Sequence, residues 1–270
     1  MGWSERQRAM LRAMGLSVWA PPAGEPEAVA PVAETVAPRD TPPAPAAPIV
    51  SAVSVPHGPA PAPAAHAIDV LSEAAGEVAT MDWPALRAAV GTCRACALCE
   101  SRTQTVFGVG NPRAHWMIVG EAPGEQEDRQ GEPFVGPAGQ LLDAMLRAVG
   151  LSRAEGPPER QVYIANTLKC RPPRNRNPEP AELAKCEPFL QRQLALVQPR
   201  VIVAMGRFAV QALLRSDEAI GRLRGRVHHY QGVPLVVTYH PAYLLRQPMD
   251  KAKAWEDLCL AASLLSPGQP

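Results

Sequence analysis

The stretch from Trp116 to Gly139 limits most strongly what this chain can fold into. It opens with four apolar residues followed by Gly120, a pattern typical of a strand that is buried on both faces in a parallel sheet. A glycine-rich acidic loop comes next, and Pro137 then marks the first turn of a helix. Ligands of open α/β sheets bind just beyond the carboxyl end of such a strand. The loop is therefore predicted to form a binding pocket.

Three further apolar runs follow along the chain, at residues 162–166, 201–205 and 235–239. Helical patterns come between or after them, at residues 182–197, 207–214 and 251–265. Strands that alternate with helices predict an α/β fold with a doubly wound, parallel sheet of four strands.

Residues 20–80 differ in composition from the rest of the chain. Thirteen of the 31 prolines lie in this segment, and it contains no Phe, Trp or Tyr. Such a segment buries too little apolar surface to offset the entropy that it loses on ordering. It is predicted to be a disordered linker between a short N-terminal segment, 1–19, and a globular domain, 82–266.

Residues 4–15 are predicted to form a short amphipathic helix with Met10, Leu11 and Met14 on one side. Two interpretations of this helix are open. It either docks on an unidentified protein partner or packs back on its own chain.

Charge and hydropathy limit the partners and the cellular compartment that the sequence predicts. The formal net charge of +1 gives no overall attraction to nucleic acid, so binding to nucleic acid must rest on local patches. No apolar run approaches the ~18 residues that span a bilayer, and the N-terminus lacks the apolar core of a signal peptide. We therefore expect a cytoplasmic protein with no membrane partner and with reduced thiols.

Two pairs of cysteines have the spacing of metal or cluster ligands. Cys93 and Cys96 form a C-x2-C step, and 15 residues separate Cys170 from Cys186. Four thiolates in two pairs suit a tetrahedral zinc site or a 4Fe-4S cluster, and spacing alone does not decide between them. Cys99 continues the three-residue step and is an alternative ligand in place of one of its neighbours.

Polar residues follow three of the predicted strands directly. Glu121 follows the first, Asn166 ends the second and His240 follows the fourth. Because the carboxyl ends of parallel strands share one edge of a sheet, these side chains should converge there. With Phe134 to stack on a planar ring, they suit cleavage of a base from its sugar. Taken singly, each of the four also has a purely structural interpretation, such as a cap or core residue.

Two segments beside the predicted site favour contact with nucleic acid. The first is an exposed, proline-stiffened loop with Lys169 beside it, and it carries Arg171, Arg174 and Arg176. The second follows His240 and offers an apolar wedge for a base stack, made of Leu244, Leu245 and Arg246.

Five motifs occur in order between Cys93 and Arg246: CRAC, GEAPGEQED, EPFVGPAG, ANTLKCRPPRNRNP and HPAYLLR. Together they resemble the family 4 uracil-DNA glycosylases, the iron-sulfur members of the uracil-DNA glycosylase superfamily. The resemblance implies a three-layer α/β/α fold with a four-stranded parallel sheet. It also implies base excision repair, in which uracil is flipped out of DNA and removed to leave an abasic site. HPA replaces the frequent HPS, which removes a hydroxyl but keeps the histidine.

The resemblance also assigns roles to particular residues. It implies a 4Fe-4S cluster on Cys93, Cys96, Cys170 and Cys186. Glu121 would assist the water or the sugar cation, and His240 would stabilise the departing uracil anion. The substrate-binding residues would be Gly120, Ala122, Phe134 and Asn166, and the vacated base stack would be filled by Leu244, Leu245 and Arg246. We expect a monomer that acts on uracil-containing DNA at the nucleoid.

Two alternatives belong to other functional classes. One is a protein of the same superfamily that captures uracil-DNA without turnover, as an offshoot does covalently through a loop histidine. The loop between Cys170 and Cys186 contains no histidine, which argues against covalent capture. The other is a zinc-stabilised nucleic-acid module without catalysis.

Overall fold

The computed structural model of the protein describes Ala9, Met10, Ala13 and residues 76–265. Within these residues, a six-stranded sheet has the order β1-β3-β2-β4-β6-β5. Its strands are β1 Val109–Gly110, β2 Trp116–Gly120, β3 Val162–Asn166, β4 Val201–Met205, β5 Val227–Tyr230 and β6 Val233–Thr238.

The four central strands are the parallel sheet that the apolar runs predict. β2 pairs with β3 and β4, and β4 pairs with β6, all in parallel. Every residue of β2, β3 and β4 is buried, since helices cover both faces of the sheet.

The prediction of a purely parallel sheet of four strands is wrong at both edges. β1 pairs antiparallel with β3, and β5 pairs antiparallel with β6. β5 and β6 form a hairpin whose two turn residues, Gln231 and Gly232, both have positive φ, 49° and 84°. β1 has only two residues and β5 is largely half-buried, so neither shows the continuous apolar run of a central strand.

The α-helices after Met81 are α1 Trp83–Thr92, α2 Leu98–Ser101, α3 Glu125–Gln130, α4 Pro137–Ala148, α5 Pro180–Val197, α6 Arg207–Leu214, α7 Ile220–Leu223, α8 Pro241–Arg246 and α9 Lys251–Ser263. Alternate residues of β2 point to opposite layers: Ile118 packs with α4, α8 and α9, whereas Met117 and Val119 pack with α5 and α6. The sheet therefore lies between two helical layers.

The predicted boundary between linker and domain is wrong by several residues. Residues 76–80 are helical, and Val78 is buried against Leu86, Val90 and Phe107. Val78 thus supplies an apolar contact within residues 20–80, which the composition of that segment did not predict. The other residues of the predicted linker lie outside those that the structure describes.

The predicted N-terminal helix is described at three positions only. Ala9, Met10 and Ala13 are helical, and the rest of residues 4–15 lies outside the described part. Met10 is buried in the same apolar cluster as Trp116 and Leu141. For Met10, this burial favours packing on its own chain over docking on a partner.

Among the residues that the structure describes, no helix is both long and apolar enough to cross a bilayer.

Candidate active site

A cavity of about 200 Å³ lies at the carboxyl edge of the central strands. In-register pairing of Gly120 with Asn166 aligns the ends of β2 and β3. His240 follows β6 and caps the N-terminus of α8. The cavity lining includes Glu121, Ala122, Phe134, Asn166, Arg176 and His240. The sequence-predicted carboxylate, amide, imidazole and aromatic ring thus share one pocket.

Gly120 forms the floor beneath two of these side chains. A methyl group at this position would lie 2.4 Å from Asn166 Oδ1 and 2.6 Å from Phe134 Cζ. Both distances are shorter than any normal contact, so only glycine lets the amide and the ring settle over the end of β2.

Phe134 forms one wall of the pocket. Its ring centroid lies 5.3 Å from that of His240, at an interplanar angle of 30°. The backbone of Phe134 is left-handed, with φ of 58°, which is strained for a bulky residue. Arg153 holds this backbone by donating Nη2 to the Phe134 carbonyl at 3.0 Å and Nε to Asp143 at 2.8 Å.

Asn166 ends β3 and is 2% exposed. No donor among the described residues reaches its buried Oδ1. The main-chain carbonyl oxygen of Asn166, by contrast, accepts a hydrogen bond from Lys169 Nζ at 2.7 Å. A buried amide oxygen without a partner is uncommon in a folded protein, and it indicates a site that a ligand donor completes.

Three acids of the segment after β2, all within α3, have structural tasks. Glu127 accepts from the backbone N–H groups of Val135, Gly136 and Gly124, at 3.0, 3.2 and 3.1 Å. Asp128 is buried and accepts from the backbone N–H of Thr103. Glu125, the third of these acids, forms ion pairs with Arg129 and Arg171.

Of the acids that line the pocket, Glu121, in the turn between β2 and α3, remains for chemistry. Its carboxylate makes no hydrogen bond to any described residue, and the side chain lines the pocket. Burial raises the pKa of Glu121, and the charge of Arg207 opposes that rise. Arg207, at the start of α6, carries no motif that identifies it from sequence.

His240 is neutral at physiological pH. Burial lowers its pKa to about 4, helped by the charge of Arg246 and opposed by that of Glu127. Its Nδ1 accepts from the backbone N–H of Ala242 at 3.2 Å. The ring proton is therefore on Nε2, and a neutral imidazole can donate a hydrogen bond from that atom.

The basic loop after β3 is more internally bonded than its sequence indicates. Arg171 donates to Asn175 at 2.8 Å, and Arg176 makes a bidentate pair with the buried Glu182 at 2.6 and 2.9 Å. Arg174 is exposed, so it is the arginine of this loop most available to a phosphate. Lys169 does not belong to an exposed loop, because it is 1% exposed.

The apolar wedge predicted after His240 is wrong at Leu244. This side chain is fully buried in the core, because the phase of α8 turns it towards α4. Leu245 is 44% exposed and Arg246 is also exposed. The sequence did not single out Met249, an exposed apolar residue just beyond α8 whose side chain is 87% exposed. Pro248 before it was the one signal that α8 ends here and that Met249 lies in a turn.

The cysteines converge on a second, smaller cavity. Its lining includes Cys93, Cys96, Cys99, Cys170 and Cys186. Arg102 donates Nη1 to Cys170 Sγ at 3.0 Å, and Nη2 to the Cys93 carbonyl at 2.8 Å. Burial raises the pKa of Cys186 to about 12. Within the described residues, no three His, Cys, Asp or Glu side chains are arranged to hold a single metal ion.

A family model described as the uracil DNA glycosylase superfamily matches residues 107–259, a span that includes all the pocket residues. The chain belongs to this superfamily. A type-4 uracil-DNA glycosylase of Archaeoglobus fulgidus is 42% identical over 187 residues, which are 66% of this chain and 91% of the relative. Type-4 uracil-DNA glycosylases of Thermotoga maritima and Pyrobaculum aerophilum are 41% and 40% identical, covering 65% and 67% of this chain and 91% and 93% of theirs.

Proposed function

We propose that this chain is a DNA repair enzyme that hydrolyses the N-glycosidic bond of uracil in DNA and leaves an abasic site. The observation that carries the proposal is the convergence of Glu121, Phe134, Asn166 and His240 on one pocket. The chain's relatives at about 40% identity are named uracil-DNA glycosylases, which supports the same activity.

Asn166 and Phe134 supply recognition of the base. A side-chain amide donates and accepts at once, so it matches the adjacent N–H and carbonyl of uracil. The ring of Phe134 offers a stacking surface, Ala122 lines the same pocket, and Gly120 packs against both Phe134 and Asn166. At about 200 Å³ the cavity is below the ~300–1,000 Å³ of pockets for drug-sized ligands, which suits a single flipped base.

Glu121 and His240 divide the chemistry between the two products of bond cleavage. The bond electrons leave with the base, so the base becomes an anion and the sugar becomes oxocarbenium-like. His240 Nε2–H donates a hydrogen bond to the developing anion. The Glu121 carboxylate stabilises the sugar cation and orients the water, which adds to the anomeric carbon and transfers its proton to that carboxylate.

Contacts to DNA surround the pocket mouth. Arg174 supplies a phosphate contact, and Arg171 and Arg176 shape the loop that presents it, since both are paired within the protein. Leu245 and Arg246 enter the base stack vacated by the flipped nucleotide, because Leu244 is buried.

A 4Fe-4S cluster is the group that we propose for the cysteine cavity. Cys93, Cys96, Cys170 and Cys186 would hold it, and Cys99 lines the same cavity as an alternative ligand. The donor set fits, because thiolates are the usual ligands of such clusters. The cluster would join the segment before β1 to the loop after β3 and to α5, which are far apart from that segment in sequence.

The decisive experiment uses purified protein with single-uracil and matched thymine oligonucleotides, followed by alkali. We expect strand breakage at uracil only. No breakage at uracil would exclude the enzyme, and a protein-DNA adduct that survives denaturation would indicate covalent capture instead. Visible absorption of iron-sulfur type and bound iron would separate the cluster from zinc. Cytoplasmic location, association with the nucleoid, the monomeric state and a partner for residues 4–15 stay predictions.

A further inference from the structure

Lys169 carries a buried charge for which the fold provides no carboxylate among the described residues. Its side chain is 1% exposed, and its Nζ donates to two neutral acceptors. These are the Asn166 carbonyl and Gln193 Oε1, both at 2.7 Å. Taking an ammonium group out of water is costly unless an anionic group lies nearby, and the groups whose charge favours this ammonium are the thiols of Cys170 and Cys186 in the cysteine cavity.

The backbone of Lys169 lies between the cysteine cavity and the body of the domain. Its N–H donates to Cys186 Sγ at 3.3 Å, and Cys170 is the next residue. Its carbonyl accepts from the backbone N–H of Val106 at 2.8 Å. One residue therefore contacts the cysteine cavity through its backbone and the base-recognising Asn166 through its side chain.

Gln193 provides the second hydrogen-bond acceptor of the Lys169 amine. Its Oε1 accepts from Lys169, while its Nε2 donates to the Phe107 carbonyl at 2.8 Å and lies 3.1 Å from the Tyr163 hydroxyl. Gln193 is fully buried in α5, so the amine has a defined position.

We propose that Lys169 is a positioning residue that ties Asn166 to the cysteine cavity, so that the cysteine segment sets how well the pocket holds uracil. The proposal rests on the proposed function of Asn166 in reading uracil. Asn166 is the last residue of β3, and Thr167 after it returns to β2 through its N–H to the Gly120 carbonyl at 3.0 Å. The peptide between Asn166 and Thr167 is therefore held at two points, by the Gly120 carbonyl at its N–H and by Lys169 Nζ at its oxygen, and loss of the second would let the backbone that carries the Asn166 side chain shift.

The test is Lys169→Met, which keeps the length of the side chain and removes its donors. The matched control is Lys185→Met, because Lys185 lines the same cysteine cavity but is exposed. We expect Lys169→Met to weaken binding of free uracil about tenfold, which corresponds to ~1.4 kcal/mol. Its affinity for abasic DNA and its bound iron should stay unchanged. Lys185→Met should leave all three quantities at the wild-type level.

Calorimetry of free uracil keeps the two proposals apart, because binding needs no turnover. Wild-type protein that binds uracil without cleaving DNA would contradict the proposed function but would leave Lys169 testable. A Lys169→Met protein that retains its iron and binds uracil as tightly as the wild type would overturn the inference. If this variant loses its iron, Gln193→Leu takes its place, since it removes one of the two acceptors of the amine. Unchanged uracil affinity in that variant would likewise overturn the inference.

Discussion

Replacement of Gly120 by alanine isolates the geometry of the pocket from its chemistry. Residue 120 has no positive φ, so an alanine backbone is unstrained there. The added methyl group would lie 2.6 Å from Phe134 Cζ and 2.4 Å from Asn166 Oδ1. Carbon atoms in contact normally lie ~3.5–4.0 Å apart, so the phenyl ring must move by about 1 Å and the amide by a similar distance.

That displacement sets the expected loss of activity. Misplacing reactive or binding groups by ~1 Å costs about 10²-fold in rate, which is ~2.7 kcal/mol of transition-state stabilisation. Overpacking of this kind also destabilises a folded protein by about 1–3 kcal/mol. We expect the lower end of that range, because both displaced groups border a cavity.

The assay compares kcat/KM on a uracil oligonucleotide with the free energy of urea unfolding. Gly91→Ala is the matched control, since Gly91 lies in α1 and a methyl group there meets nothing within 4 Å. The control should keep full activity and gain about 0.5–1 kcal/mol of stability from its better helix propensity. If folded Gly120→Ala protein stays within threefold of wild-type kcat/KM, the packing of Asn166 and Phe134 over Gly120 does not control the pocket.

Three further predictions concern single side chains. Glu121→Gln should lower the single-turnover rate constant of cleavage about 10²- to 10⁴-fold, and a near-normal rate constant would assign the role to another group. The pKa of His240 in the folded protein, about 4, lies below its ordinary value, so the unfolded chain binds more protons at mildly acidic pH. Stability should therefore fall as the pH drops from ~6.5 to ~4, on the order of 2 kcal/mol after discounting the part of the ring that faces the pocket. Urea unfolding should show this loss and His240→Asn should remove it, whereas equal slopes would contradict the assignment. Leu245→Ala should lower kcat/KM on double-stranded uracil about tenfold with little change on single strands, whereas Leu244→Ala should instead cost ~2–5 kcal/mol of stability.

The central fold follows from periodicity, because burial on both faces imposes a continuous apolar run on each middle strand. β2, β3 and β4 end within one residue of their predicted positions. The edge strands do not show this pattern and could not be predicted from it. β1 is too short to have a period, and the VHHY sequence of β5 faces solvent on part of its surface.

The pocket could be predicted because its polar residues directly follow apolar runs. The separate roles of its acids could not, since Glu121 and Glu127 lie in one acidic segment and only the folded structure shows that backbone N–H groups reach Glu127 and not Glu121. Leu244 and Leu245 posed a similar difficulty, because α8 has six residues and its phase depends on the core that it packs against. Lys169 reads as a loop cation in sequence, but its burial comes from tertiary contacts with α5.

The side-chain oxygen of Asn166, which no described donor reaches, lowers the stability of the fold at the position where the pocket needs it. Because no described protein donor reaches this buried oxygen, it depends on the pocket for a partner, and an acceptor left without one costs about 1–3 kcal/mol that an apolar residue of similar size would avoid. Random mutation followed by selection for thermal tolerance alone should therefore favour loss of Asn166, and with it loss of repair. Any stabilised variant of this enzyme has to be screened for turnover as well as for melting temperature, because at this position the two properties oppose each other.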